Sequence, residues 1–176
     1  MSTARKSTAP PITHVFADDG RIPNNTLPFV LYRGAIDLAG SPDPEHVIEE
    51  TFTANGWRGL WRNGVYPYVH YHSMIHETMG IARGRAKIRF GGENGRDIDV
   101  VSGDVVILPA GTGHQRLWQS YDLVVIGAYP PSGKYNLCRG SKADYAKALV
   151  AIPKVPRPAS DPVFGPKGPL IALWRT

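Results

Sequence analysis

The sequence predicts an all-β domain, a sandwich or closed barrel of short strands with two short helices outside it. Between Trp57 and Tyr129, short apolar or alternating runs are separated by turns that contain glycine. Eight such runs at regular spacing are typical of sandwiches and barrels. The 176 residues suit one domain, 1–176, since domains usually have about 100–200 residues.

The predicted strands are short and close together in the chain. Alternation is clearest at 85–90, where Arg85, Lys87 and Arg89 lie on one face and apolar residues on the other. We interpret the three cations as a solvated outer face. The GGENG sequence at 91–95 has the composition of a hairpin turn. The predicted strands are 57–61, 65–72, 77–83, 85–90, 97–101, 104–108, 114–118 and 121–129.

Two helices are predicted on either side of this region. The first covers 41–56, with Ser41 or Asp43 as its N-terminal cap and Gly56 at its end. The second covers 141–151, begins with a serine in capping-box spacing to an aspartate, and ends before a proline.

The two ends of the chain are predicted to pack on the strands. Short N-terminal strands are expected at 14–17 and 29–32. Six prolines fall between 153 and 169, and each one removes a backbone donor. We therefore expect an extended strap that ends in the LIALW sequence at 170–174.

Composition favours a soluble cytoplasmic protein, whereas the modest positive charge suits small anionic molecules and polynucleotides about equally. No run of 18 apolar residues is present, and the first residues lack the apolar core of a secretory signal. The lone cysteine, Cys138, fits a reducing compartment. The net charge of +5 is spread in small groups rather than in a basic block. We therefore expect no nucleic-acid partner and no membrane association.

Four of the six histidines and a glutamate fall in two short segments, HYHSMIHE at 70–77 and PAGTGH at 109–114. His70 and His72 are two residues apart, so on a strand their imidazoles point to the same side. Glu77 follows after four residues, and His114 opens a later strand. Three imidazoles and a carboxylate suit Fe, Mn, Ni, Zn or Cu better than Ca or Mg.

The spacing of glycines around these residues resembles the two motifs of the cupin superfamily. The first motif comprises Gly64, His70, His72, Glu77 and Gly84, and the second comprises Gly103, Pro109, Gly111 and His114. The family usually has asparagine four residues after the last histidine, where this chain has Trp118. The WRNG sequence at 61–64 and the GPLI sequence at 168–171 resemble a branch of small bacterial cupins without an assigned reaction.

This resemblance implies a jelly-roll barrel, also called a double-stranded β-helix, with its core at about 57–129. It implies one divalent metal ion, Fe, Mn, Ni or Zn, on His70, His72, Glu77 and His114. The neighbouring His76 is the alternative fourth ligand, or else it lies just outside the ligand set. The resemblance also implies a homodimer formed through the N-terminal strands.

Strand alternation from these ligands predicts which further side chains line a substrate pocket. For an inward Arg116, an acidic partner or an anionic ligand is required. Pairing with Asp122, or a bulge that turns Arg116 outward, is the open alternative. Met79 is also explained by core packing alone. The predicted pocket residues are Tyr66, Tyr68, Met79, Arg116 and Trp118.

Two kinds of function remain open at this point. The first is a metal-dependent oxygenase, decarboxylase or isomerase that acts on a small, carboxylate-bearing or aromatic molecule. Family analogy favours the oxygenase. The second is a non-catalytic protein that binds or senses a small ligand. The sequence identifies no catalytic residue outside the ligand set, and a purely structural barrel fits an intact set least well.

Overall fold

Two antiparallel sheets form the framework of the structure, a computed structural model that describes residue 7 and residues 9–175. The strands in the described part of the chain are β1 Ile12–His14, β2 Phe29–Tyr32, β3 Arg58–Asn63, β4 Glu77–Arg83, β5 Arg85–Phe90, β6 Arg96–Val101, β7 Val105–Leu108, β8 His114–Gln119 and β9 Val124–Tyr129. The six-stranded sheet has the order β1-β2-β7-β4-β9-β3, and the three-stranded sheet has the order β6-β5-β8. The predicted all-β fold is confirmed.

The alternation in β5 produces one apolar and one charged face. Ala86, Ile88 and Phe90 are buried. On the opposite face, the Arg89 guanidinium donates to the Asp97 carboxylate of β6 at 2.6 Å. This face is a cross-strand ion-pair ladder, as expected for cations on the outside of a sheet.

Two motif glycines occupy tight turns that exclude a side chain. Gly84, between β4 and β5, has φ +70°, and a Cβ there would lie 2.9 Å from the Leu123 Cα. Gly103, between β6 and β7, has φ +92°, and a Cβ there would lie 2.9 Å from the Ile36 carbonyl oxygen. Both positions need a residue that tolerates positive φ.

The predicted strand at 65–72 is wrong. Pro67 has no N–H to donate, and the segment connects β3 to β4 while it contacts β8 of the other sheet at His70. Only isolated bridges form there, and the His70 N–H donates to the His114 carbonyl at 3.1 Å. Other strand limits shift by up to three residues, and the first strand lies at 12–14 instead of 14–17.

The structure has three α-helices in the described residues, not the two predicted. They are α1 Pro44–Ala54, α2 Lys142–Ala151 and α3 Pro169–Leu173, and a 3-10 turn, Ile152–Lys154, follows α2. Asp43 rather than Ser41 caps α1, because its carboxylate accepts from the His46 N–H at 3.0 Å. The LIALW sequence at 170–174 lies mainly in α3 and is helical rather than extended. Pro169 begins α3, at a position where a missing N–H costs nothing.

The proline-rich strap packs on the six-stranded sheet through a buried aspartate. The Tyr32 hydroxyl donates to Asp161 at 2.5 Å, and the Leu170 N–H donates to the same carboxylate at 3.1 Å. Leu170 and Trp174 are buried in the same apolar cluster as Tyr32. No helix in residues 9–175 is both long and apolar enough to cross a membrane.

Candidate metal centre

Three imidazoles and one carboxylate converge between the two sheets. One ring nitrogen from each of His70, His72 and His114 lies within 4.8 Å of the other two. The Glu77 Oε2 atom lies 3.2 Å from His72 Nε2 and 3.3 Å from His114 Nε2. All four side chains are buried. Glu77 begins β4 and His114 begins β8, so the sheets position two of the four candidate ligands.

The second ring nitrogen of each histidine faces a backbone carbonyl. A carbonyl can only accept, so each Nδ1 carries a proton, and in the neutral ring each Nε2 is left with a lone pair to direct at the common centre. This is the tautomer that a metal ligand requires. The pairs are His70 with Tyr68 O at 3.1 Å, His72 with Asn136 O at 2.6 Å, and His114 with Thr112 O at 3.0 Å.

Burial and mutual contact change the charge states of these groups. Burial lowers the pKa of His70, and the neighbouring His114 lowers it further, so His70 stays neutral. Burial alone would raise the pKa of Glu77, but the adjacent His72 and His114, when protonated, outweigh the burial and lower the pKa well below its usual range. Glu77 is therefore an anion among imidazoles.

One oxygen of this buried anion has no hydrogen-bond donor. Glu77 Oε2 is shielded from water and lacks a hydrogen-bond partner among the described residues. An uncompensated carboxylate oxygen in such a place is costly, and a cation bound between it and the neighbouring histidine nitrogens removes the cost. The residues therefore fit a metal ion with mixed nitrogen and oxygen ligands.

His76 is buried but points away from this centre. Its Nδ1 accepts the Ala110 N–H at 2.9 Å, and its ring packs against Trp174 with the ring centroids 4.7 Å apart. The geometry therefore places Glu77, and not His76, beside the three histidines.

A cavity of about 370 Å³ opens over the four residues. Of the predicted pocket residues, Tyr66 and Met79 line it. Tyr68 lies outside that lining, where it stacks on Tyr66 with centroids 4.8 Å apart and holds the Arg139 guanidinium 3.8 Å from its ring centre. The complete lining is Trp61, Asn63, Gly64, Val65, Tyr66, His70, His72, Glu77, Met79, His114, Tyr129 and Tyr135.

A bulge in β8 changes the predicted positions of two other side chains. Arg116 pairs with Ile88 of β5, but Trp118 pairs with Lys87, so two steps on β8 match one on β5. Alternation therefore fails after Arg116, and Trp118 is turned outward with 51% of its surface exposed. This corrects its predicted place in the pocket.

Arg116 also lies outside the lining of the cavity. Its guanidinium donates to the Gln119 side chain rather than to Asp122, and it borders a neighbouring pocket on the surface. The prediction that Arg116 lines the pocket, where it could hold a substrate carboxylate beside the metal, therefore does not agree with its position in the structure.

Sequence reasoning missed most of the aromatic wall. The Trp61 indole N–H donates to the Tyr129 hydroxyl at 3.0 Å. The indole lies flat over Gly127, where a Cβ would come within 1.9 Å of it. A glycine inside an otherwise apolar strand was the available signal for this close approach. Tyr135 belongs to the loop after β9, which has no periodic pattern to indicate it.

Comparisons with known proteins give one relative along nearly the whole chain. The uncharacterized protein YjlB of Bacillus subtilis is 40% identical over 163 residues, which cover 92% of this chain and 95% of YjlB. No protein-family model matches the sequence.

Solved structures show partial likenesses. Acireductone dioxygenase from Bacillus anthracis, with cadmium in its active centre, is 17% identical, with 51% of this chain and 61% of that chain covered and a TM-score of 0.38. A DUF861 family protein from Thermotoga maritima is 20% identical over 51% of this chain and 89% of that one, with a TM-score of 0.31. Oxalate decarboxylase is 16% identical over 64% of this chain and 23% of that one, with a TM-score of 0.34.

The two motifs and the paired antiparallel sheets are of the cupin type. With 40% identity over nearly the whole of both chains, the protein belongs to the family of YjlB.

Proposed function

We propose that this protein is a metal-dependent enzyme that acts on a small molecule bound in the cavity. The observation that carries the proposal is the unpartnered Glu77 oxygen, which lies beside the Nε2 atoms of His72 and His114 in the lining of that cavity. His70, His72, Glu77 and His114 would hold one divalent ion. Such an ion supplies Lewis-acid or redox chemistry at the coordination positions that the protein leaves free.

The chain's own groups orient a ligand in this cavity and control a proton. Tyr129 accepts from the Trp61 indole, so its own hydroxyl can donate to an acceptor in the cavity, and the Glu77 carboxylate is one such acceptor. Burial raises the pKa of Tyr129, and the nearby Glu77 anion raises it further, which keeps that hydroxyl protonated. Tyr129 is therefore suited to donate a hydrogen bond to a bound ligand.

An oxygenase is the reaction class that the cupin resemblance favours, ahead of a decarboxylase or isomerase. The experiment is oxygen uptake by protein purified without added metal, with the metal identified by elemental analysis. Bound iron with uptake that depends on an added small carboxylate or aromatic compound would support the oxygenase. Bound zinc with no turnover of any compound would contradict it and favour a non-catalytic ligand-binding protein.

The proposal also covers the cellular location, the oligomeric state and the partners of the protein. We place it in the cytoplasm as a homodimer, with small molecules rather than nucleic acid or membranes as partners. The dispersed charge supports the absence of a nucleic-acid partner. The exposed edge strand β1 supports the homodimer.

A further inference from the structure

The only charged side chain among the described lining residues, apart from the histidines, is that of Glu77 at the candidate metal centre. Among the described residues that line the cavity, none is a lysine, arginine or aspartate, and Glu77 alone has a carboxylate. Because Glu77 contributes one negative charge, a divalent cation on the proposed ligands leaves one net positive charge there. A ligand can therefore place one anionic group at the metal, but a second anionic group would meet no cation.

The walls of the cavity are aromatic on two sides. Tyr66 meets the His70 ring edge-on with centroids 5.1 Å apart, and the Tyr135 ring lies 5.0 Å from the His72 ring. Apolar and aromatic surfaces favour a ring in the ligand, with preferred centroid distances of about 4.5–7 Å. Tyr66 and Tyr135 therefore offer aromatic surfaces to a planar group bound beside the imidazoles.

Internal contacts hold the aromatic walls in place. The indole of Trp61 is fixed between Gly127 and the Tyr129 hydroxyl. The loop of Tyr135 is tied down by its neighbour Asn136, whose side-chain oxygen accepts from the Ser73 N–H at 3.0 Å. The walls are therefore largely formed before a ligand binds, which lowers the entropic cost of binding.

Two cationic side chains of the strands next to the cavity have other partners. The Arg116 guanidinium is hydrogen-bonded to Gln119 outside the cavity. Arg62, in β3, forms a paired hydrogen bond with Glu49 at 2.6 and 2.8 Å. Neither is placed to receive a second carboxylate of a ligand at the metal.

We infer that the cavity takes a monoanionic aromatic molecule, with its one anionic group at the metal and its uncharged ring against Tyr66 and Tyr135. This inference rests on the proposed function, because the metal supplies the charge that holds the anionic group. It assigns the carboxylate of a substrate to the metal rather than to Arg116.

The test compares three carboxylates on the metal-loaded protein by calorimetry: acetate, phenylacetate and succinate. Phenylacetate should bind at least about tenfold more tightly than acetate, a difference of about 1.4 kcal/mol. Succinate should gain nothing over acetate. Equal binding of acetate and phenylacetate, or succinate as the tightest of the three, would overturn the inference.

Two tyrosine variants locate the effect. Tyr135 is 50% exposed, so Tyr135→Ala should fold and keep its metal while phenylacetate affinity falls roughly three- to tenfold. The matched control is Tyr121→Ala, since Tyr121 is fully exposed and away from the cavity lining. Acetate affinity should be equal in both variants.

The outcomes separate the inference from the proposed function. Equal phenylacetate affinity in the two tyrosine variants, with metal bound, would overturn the ring site and leave the metal site standing. A protein that takes up no metal would overturn both. Arg116→Leu should bind phenylacetate as the parent does, and a weaker affinity would return the anionic group to Arg116.

Discussion

The orientation of the candidate ligands depends on residues that are not themselves candidate ligands. Asn136 is the clearest case, because its backbone carbonyl accepts from His72 Nδ1 at 2.6 Å. Its side-chain oxygen accepts from the Ser73 and Met74 N–H groups, and its amide donates to the Ser73 hydroxyl at 2.9 Å. Asn136 therefore fixes both the orientation of His72 and the chain that follows it.

Replacing Asn136 should weaken metal binding without removing a ligand. The Asn136→Ala variant frees the loop that orients His72, and loss of such supporting contacts typically costs about 10–100-fold in metal affinity. Asn136→Asp keeps an acceptor for the Ser73 N–H and should recover part of the loss. Competition with a chelator measures both affinities. Unchanged affinity in Asn136→Ala would show that the loop does not orient His72.

At the level of elements, the sequence predicts those parts of the site that follow from spacing and alternation. His70 and His72 reach one centre with Glu77 and His114, as the motif spacing predicts. Predictions from strand alternation are wrong where a proline or a bulge interrupts the strand. Pro67 breaks the strand expected before His70, and the bulge after Arg116 reverses the side on which Trp118 lies.

The remaining parts of the site had no periodic signal. Tyr135 and Asn136 lie in a loop whose course depends on contacts with the chain at Ser73 and Met74. Such contacts between distant segments are tertiary, so no local pattern indicates them. The sequence does not predict the helix at LIALW, because Pro169 suits an extended strap as well as the first turn of a helix. In the structure it occupies the first turn of α3.

The packing of β3 on β9 should be sensitive to one methyl group. Gly127→Ala places a Cβ within 1.9 Å of the Trp61 indole, which must move. Such overpacking typically costs about 1–3 kcal/mol of unfolding free energy. Gly64→Ala is the control, since its Cβ would lie at an ordinary 3.5 Å from Gln119. Urea unfolding measures both, and equal stabilities would contradict the close packing.

The attachment of α1 to β4 should depend on pH. The Arg83 guanidinium holds Glu45 through two hydrogen bonds and lowers the pKa of that carboxyl. A folded-state pKa below the unfolded one gives stability that is present above the unfolded pKa and lost as pH falls through the folded pKa. Glu45→Gln should therefore destabilise the protein at neutral pH and matter progressively less as the pH falls below the usual glutamate pKa of about 4.3. A pH-independent difference in urea unfolding would contradict this.

At the level of the whole molecule, an exposed edge favours self-association. The strand β1 lies at the edge of the six-stranded sheet, and Ile12 and the adjacent Val15 are exposed. Edge strands with free backbone groups pair readily with another chain. We expect a homodimer in light scattering at micromolar concentration, and Ile12→Lys should shift it toward the monomer. A parent protein that is monomeric throughout this range would contradict the proposed dimer.

Metal stoichiometry of matched histidine variants tests the central claim most directly. The parent protein and His46→Ala, which changes an exposed histidine on α1, should each carry roughly one metal ion per chain. His114→Ala should fold but bind essentially none, because it removes one of three imidazoles at the buried centre. Full metal content in His114→Ala, measured by elemental analysis on folded protein, would contradict the account.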